Sequence, residues 1–275
     1  MEHPDALTQP SQAFHFFPNQ RKHGVLYFDD LALKVPRTMH SYARRSSLEK
    51  QLYFASKFHW RVTGRVHPSL ITDQFVGGQR VYLVHNPKCG GSTLKALFAV
   101  SAKKTTHTFP RLMFRHALWR ENLFVVSVRN PFDRFVSSYM YHVKSRYGGA
   151  LVKRYGPSIK DLSPMEYLNF ISQFPEKLSA QTNWTDYPSR EKPSCDVILR
   201  LEDSCTWVQT LARHSILLSE QEVPKRNATP TQSTPQGAQT PLAALLPADE
   251  ITALRRRIED MFRQDYLRFG YALLG

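Results

Sequence analysis

Hydrophobic and polar positions are unevenly organised along this chain. Up to about residue 78 the sequence is irregular, rich in His, Arg and aromatic residues and weak in periodicity, with room for one or two helices over 39–58. From Arg80 the pattern sharpens. Residues 81–85 (VYLVH) form a short apolar run that reads as a buried strand; a proline and the Gly90-Gly91 pair follow, and 92–100 reads as a helix. The order then recurs. Residues 123–128 (LFVVSV) are a buried-strand run, Arg129-Asn130 a turn, Pro131 a first helical residue, and 132–145 a helix.

Further along, Ser163-Pro164-Met165-Glu166 predicts a capping box with proline in the first turn. The helix it opens places Tyr167, Phe170, Ile171 and Phe174 on one apolar face. Residues 196–201 (DVILRL) predict a third strand, and 204–214 the helix after it. The stretch 222–248 carries five prolines among many Thr and Gln residues and reads as a long loop. A last helix over 249–269 has Ile251, Leu254, Ile258, Met261 and Phe262 as its apolar stripe and Gly270 at its C-terminal cap. Strands alternating with helices predict an α/β fold around a mostly parallel sheet. The organisation expected is an N-terminal extension over 1–78, of open role, followed by one domain over 79–275.

Composition adds a constraint and a question. The 275 residues can bury a full core without staples, and 41% hydrophobic with 12% aromatic residues excludes wholesale disorder. Cys89, Cys195 and Cys205 are too few for a disulfide scaffold, and no C-x-x-C pair suggests zinc. No apolar stretch reaches the about 20 residues of a membrane span, and the N-terminus lacks the apolar core of a signal peptide. The chain as given reads as soluble and unanchored. The question is the charge: 37 Lys and Arg against 23 Asp and Glu leave +14, which invites nucleic acid, a membrane surface or a polyanionic ligand. Arg255–Arg257 on the last helix reads as a solvated face rather than a nucleic-acid patch.

Two local segments address that question. In His85-Asn86-Pro87-Lys88-Cys89-Gly90-Gly91-Ser92-Thr93-Leu94, a strand feeds a glycine loop that opens a helix, the order that turns backbone N–H groups toward an anion. Lys88 precedes the glycines, so this is not the G-x-x-x-x-G-K-[ST] loop of a nucleotide triphosphatase. The anion physics holds all the same: Gly90 and Gly91 admit close approach, Ser92 and Thr93 offer hydroxyls and amides, and Lys88 supplies a point charge. A tight turn with an incidental lysine is the plain alternative. In Arg129-Asn130-Pro131-Phe132-Asp133-Arg134-Phe135-Val136-Ser137-Ser138-Tyr139, Arg129 ends a strand and Ser137 lies about two helical turns on, where guanidinium and hydroxyl could share one phosphate. An Arg–Asp surface pair at an ordinary helix start is the alternative there.

Together the two segments resemble the 5′-phosphosulfate loop and the 3′-phosphate motif of sulfotransferases that use 3′-phosphoadenosine 5′-phosphosulfate, closest to the Golgi-type carbohydrate enzymes and their soluble relatives. The first is similar to H-x-P-K-x-G-G-[ST]-[ST]-L, the second to V-R-N-P-[FWY]-D-R-x-V-S-x-Y. More weakly, Ser179–Trp184 (SAQTNW) resembles an acceptor-side segment. Ile198–Asp203 resembles a strand ending in R-[FL]-E-[DN], and Val223–Thr229 a segment near the adenosine site. Phe262–Tyr271 resembles a closing Y-x-x-D-x-x-x-F-G-Y with Phe262 in place of the first tyrosine. The resemblance covers about 79–271.

It implies a P-loop-like three-layer α/β/α fold and an enzyme that moves a sulfuryl group to a hydroxyl, on a carbohydrate or related acceptor, with no metal. Lys88 would stabilise the leaving phosphate. Lys88, Cys89, Gly90, Gly91, Ser92 and Thr93 would cradle the 5′ group, Arg129 and Ser137 would hold the 3′-phosphate, and Asn227 would lie at the donor site. Cys89 stands where relatives often carry Thr or Ser, and packing is favoured there over a reactive thiol. His107, in an H-[TS]-x-x-x-L-like segment, is the expected base, with His116 and Glu121 open. The rivals are a phenol, lipid or secondary-metabolite sulfotransferase, and a basic polyanion-binding protein without catalysis. The residual charge, if functional, favours an acidic acceptor over nucleic acid. The compartment stays open between cytoplasm and, for a protein with an anchor removed, the Golgi lumen.

Overall fold

Strand β3, Leu123–Val128, is the centre of the fold: five of its six residues are buried, as its unbroken apolar run requires of a strand covered on both faces. It lies parallel to β2 (Gln79–Val84) on one side and to β4 (Val197–Arg200) on the other. An additional strand, β1 (Ile71–Val76), pairs antiparallel with β2 and completes a four-stranded sheet of order β1-β2-β3-β4. The computed structural model describes residues 61–101, 106–144, 151–152, 155–174, 177–218, 223 and 242–274, all within one unit spanning 37–275. The helical reading of 39–58, most of the 222–248 stretch and Asn227 lie outside the described residues.

β1 falls in the stretch where the sequence shows no clear pattern, and the reason is physical. Its Thr72 is buried, donating its hydroxyl to Val81 O at 2.6 Å, while its Phe75 is exposed beneath the Arg80 guanidinium at 4.6 Å. Polar-in and apolar-out inverts the alternation a strand normally shows. The Gly77-Gly78 loop carries φ of 55° and 82°, the doubly positive geometry that a two-residue hairpin turn needs.

Alternation across the parallel strands assigns two packed faces. Val81, Leu83, Val125, Val197 and Leu199 form one core with Leu94 and Leu97 of α1 (Gly91–Leu97). On the other face Tyr82 and Phe124 stack at 5.3 Å. Phe124 meets Phe114, after the short α2 (Pro110–Met113), at 4.8 Å and Trp119 of α3 (His116–Glu121) at 4.1 Å. Helical elements therefore flank a mixed, mostly parallel sheet. Helix α4 (Pro131–Tyr139) is capped by the Asn130 side chain, has proline in its first turn, and passes into a π-helical turn, Met140–Lys144. The expected helix to residue 145 thus changes its winding at Met140.

Helix α5 (Pro164–Ile171) begins with the capping box read from the sequence. A short turn, α6 (Thr182–Thr185), leads toward β4. The helix expected at 204–214 starts as a 3-10 segment, Leu201–Thr206, and becomes α7, Trp207–Arg213, which covers the first face. Helix α8 (Ala248–Phe269) buries Leu254, Ile258 and Phe262, packs on α4, and ends at Gly270 with φ 68°. Its Arg255 lies over the Phe132 ring at 4.4 Å, so that position packs against α4 as well as facing solvent. Among the described residues no helix is long and apolar enough to cross a membrane.

Candidate active site

Because β2, β3 and β4 are parallel, the segments after their last residues emerge at one edge of the sheet: 85–90, 129–130 and 201–203. That edge is where open α/β sheets hold ligands. The first segment turns sharply. Lys88 has φ 64°, uncommon for a residue with a Cβ, and Gly90 has φ 79°. A Cβ on Gly90 would sit 2.6 Å from Leu201 Cδ1, and one on Gly91 would land on His85 Nε2. Both glycines are thus imposed by neighbours, and Gly90 by its backbone conformation as well.

The turn leaves Lys88 half-buried with its Nζ 4.2 Å above the Tyr141 ring and no ion pair among the described residues. Burial, reinforced by the Arg129 charge, lowers its pKa to about 8. Arg129 is 6% exposed, and its guanidinium likewise makes no hydrogen bond or ion pair among the described residues. Two cations from neighbouring strand ends therefore lie close enough for their charges to interact, and neither makes an ion pair with a carboxylate among the described residues. Ser137, on α4, is buried, and its hydroxyl makes no hydrogen bond among the described residues. Ser92 is exposed and Thr93 buried at the start of α1. Cys89 is wholly buried below the loop, its Sγ 3.1 Å from Gln181 Oε1, and burial pushes its thiol up to about 12. A thiol so buried and so raised suits packing rather than reaction.

What holds the two motifs together is Gln181. Its Oε1 accepts from Arg129 N at 2.9 Å, Asn86 Nδ2 at 3.1 Å and the Cys89 thiol, and its Nε2 donates to Arg129 O at 2.6 Å. Its own N–H donates to Asp265 Oδ2 on α8 at 2.7 Å. Arg134 forms a second brace: Nε donates to Pro87 O at 3.0 Å and Nη1 to Ser179 O at 2.5 Å, with the guanidinium over Trp184 at 5.0 Å. Beyond β4, Glu202 accepts from Asn130 N at 2.7 Å and from the Tyr271 hydroxyl at 3.0 Å, fixing the turn that follows Arg129.

Asp265 supplies a pH test of this scaffold. Burial raises its carboxyl from 3.8 to about 6, against the opposing pull of Gln181 N, Arg134 and Thr182 N. The folded state therefore holds the proton more tightly than the unfolded chain does. The contribution of this group is full below pH 3.8 and is lost as pH rises through about 6. Subtracting the Tm–pH curve of Asp265→Asn from that of the wild type should isolate a fall across this window; parallel curves would remove Asp265 as its source.

Three imidazoles lie near the loop, His142 buried and His85 and His107 half-buried. His85 and His107 meet edge to face at 4.4 Å, and neither Nδ1 has a partner among the described residues. Burial, with the Lys177 charge next and Lys88 also contributing, lowers His107 to about 4. His85 is lowered well below its usual value by burial and by His107. The third, His142, sits on the π-helical turn. His116, by contrast, is exposed on α3 and bonded to Ser189 at 3.0 Å, and Glu121 is an exposed partner of Arg120. Gln181, Arg134 and Asp265 stand within segments that resemble family motifs, but their roles depend on contacts no local pattern encodes. Among the described residues no group of three or more His, Cys, Asp or Glu is placed to hold a metal ion.

No curated protein and no solved structure matches the chain. One family model does, over residues 78–272, and its description is "Sulfotransferase family".

Proposed function

The chain belongs to the sulfotransferase family, and we propose that it transfers a sulfuryl group from 3′-phosphoadenosine 5′-phosphosulfate to a hydroxyl of a carbohydrate. The observation that carries this reading is the Lys88–Arg129 pair, two cations brought together by Gln181 with no carboxylate partner among the described residues. Like charges cost energy at close range unless a ligand compensates them. A donor with anionic groups at both its 5′ and 3′ positions fits two such cations, a glycine-closed turn and the open Ser137 hydroxyl. When bound, that donor supplies an activated sulfur–oxygen bond.

The chain's own groups then divide the work. Lys88 neutralises charge that builds on the leaving phosphate oxygen as the bond to sulfur breaks, and Gly90 and Gly91 let the backbone of the turn, with Ser92 and Thr93, close on the same group. Arg129 and Ser137 take the 3′-phosphate. His107 takes the proton of the acceptor hydroxyl as its oxygen bonds to sulfur. Half-buried and neutral at pH 7, it has a ring nitrogen able to accept it. His116 is exposed and engaged with Ser189, which favours His107 over it. The carbohydrate acceptor rests on the resemblance to the Golgi-type enzymes.

The test is direct. Calorimetric titration with 3′-phosphoadenosine 5′-phosphate should show binding to the wild type and about a hundredfold loss in Arg129→Ala, the scale of an unpaired charge-assisted contact. Unchanged affinity in both Arg129→Ala and Lys88→Ala would sink the enzyme reading. Labelled donor incubated with polysaccharides and small alcohols then separates a carbohydrate enzyme from a phenol or lipid one. Polyanion binding without any transfer would leave a binding protein.

A further inference from the structure

His142 belongs to none of the motifs read from the sequence, yet its surroundings are specific. It lies on the π-helical turn that ends α4, a winding often found at functional positions. Its ring meets Tyr141 at 5.0 Å, the same Tyr141 whose ring lies 4.2 Å below Lys88 Nζ. Only one ring separates it from the lysine of the turn. On its inner side, His142 Nδ1 lies 2.5 Å from the Tyr167 hydroxyl and 3.3 Å from Ser138 Oγ, and those two oxygens are 2.8 Å apart. Ser138 and Tyr167 are both fully buried.

Counting protons in this closed triangle selects one arrangement. If Nδ1 carried a proton and donated it, one of the two buried hydroxyl protons would have no acceptor within the cluster, at about 1–3 kcal/mol. If Nδ1 is bare, the Tyr167 hydroxyl donates to Nδ1, the Ser138 hydroxyl donates to the Tyr167 oxygen, and every proton is used. The tautomer is then Nε2–H. That donor makes no side-chain hydrogen bond among the described residues; the backbone group acting on the ring is the Ser138 carbonyl of the same helix.

We infer that His142 is a neutral hydrogen-bond donor of this site, held in its Nε2–H tautomer by Tyr167 and Ser138 and offering that N–H to an anionic oxygen of the bound sulfate donor. The inference rests on the proposed function for the identity of the anion. It separates two roles: His142, already protonated at Nε2, cannot serve there as the base, which leaves proton abstraction to His107. The charges acting on His142 come from three segments, Lys88 of the turn, Lys177 before α6 and Lys160 of the 3-10 turn Pro157–Asp161. Burial with these cations lowers its pKa to about 3, so the ring stays neutral through the working range. A neutral donor among cations adds a directed hydrogen bond without another charge to desolvate.

The tautomer is read by 15N NMR of histidine-labelled protein between pH 5.5 and 8, with His142→Gln assigning the resonance. A pyridine-like Nδ1 and a proton-bearing Nε2 throughout are expected, with the Nε2–H proton shifting when the intact donor is added without acceptor. An Nδ1–H tautomer, an imidazolium, or no shift on saturation overturns the inference. In turnover, His142→Ala should lose about a hundredfold in kcat with a smaller change in donor KM, the scale of one lost donor to developing negative charge. His142→Gln, whose amide nitrogen can stand in for Nε2, should recover most of it. Folded His142→Ala with wild-type kcat, or a glutamine variant no better than alanine, also overturns it. If the wild type itself neither binds nor turns over the donor, the proposed function fails, while the NMR still reads the tautomer.

Discussion

Lys88→Ala is expected to lower kcat by about 10²–10³-fold while leaving the fold intact. The size follows from removing one preorganised charge from the position where the leaving phosphate becomes more negative. Stability should be unaffected or slightly higher. The lysine makes no ion pair among the described residues, its pKa is lowered by burial and by Arg129, and its main contact is the face of Tyr141. Circular dichroism and thermal melting of the variant separate the two effects, and a variant that melts well below the wild type would show that Lys88 supports the turn.

The same lysine makes a pH signature. In the ligand-free protein its pKa is lowered to about 8, so at pH 7 it is mostly charged and above pH 8 mostly neutral. Binding of the anionic nucleotide needs the charged form. Affinity for 3′-phosphoadenosine 5′-phosphate should therefore fall as pH rises through about 8, approaching tenfold per unit where one proton is taken up on binding. Arginine stays charged throughout. Lys88→Arg should accordingly lose the step even if its absolute affinity is lower. A step retained in the arginine variant would have to come from another group.

What the sequence discloses of this site is what lies close together along the chain. Residues 123–128 read as a strand because all six side chains suit burial on two covered faces, and β3 has those bounds. The turn from Lys88 to Gly91 reads as an anion loop because its glycines and lysine are adjacent. β1 escapes because Thr72 faces in and Phe75 faces out, inverting the usual alternation. Gln181 gives no local sign of its role: it bonds to partners 52, 84 and 95 positions away, and a polar residue in a short segment looks like any other until those contacts close. His142 is hidden for the same reason, since Tyr167 reaches it from α5, and because a π turn shifts the face on which residues after Met140 fall.

Gln181→Leu should then be the most destabilising of the substitutions considered, by about 3–5 kcal/mol, although leucine has nearly the volume of glutamine. The wild-type amide satisfies Arg129 N, Arg129 O, Asn86 Nδ2 and the Cys89 thiol in a fully buried pocket. Leucine fills the space and leaves those groups unpaired, each neutral one costing about 1–3 kcal/mol in part offset by relaxation. At about 2–4 °C per kcal/mol for a chain of this size, Tm falls by roughly 10 °C. Position should suffer with stability. The amide ties the Lys88 turn to the end of β3, so its loss frees the spacing between Lys88 and Arg129, and donor KM should rise at temperatures where the variant is still folded. Gln181→Glu sharpens the distinction: its oxygens can still accept from Arg129 N and Asn86 Nδ2, but only its protonated form can donate to Arg129 O. Its buried carboxylate favours the protonated form in the folded state, so its stability should decline as pH rises through the carboxylate range. A leucine variant that melts like the wild type, or one that melts low yet keeps the wild-type donor KM while folded, would deny Gln181 the part of setting the distance between the two anion-binding residues.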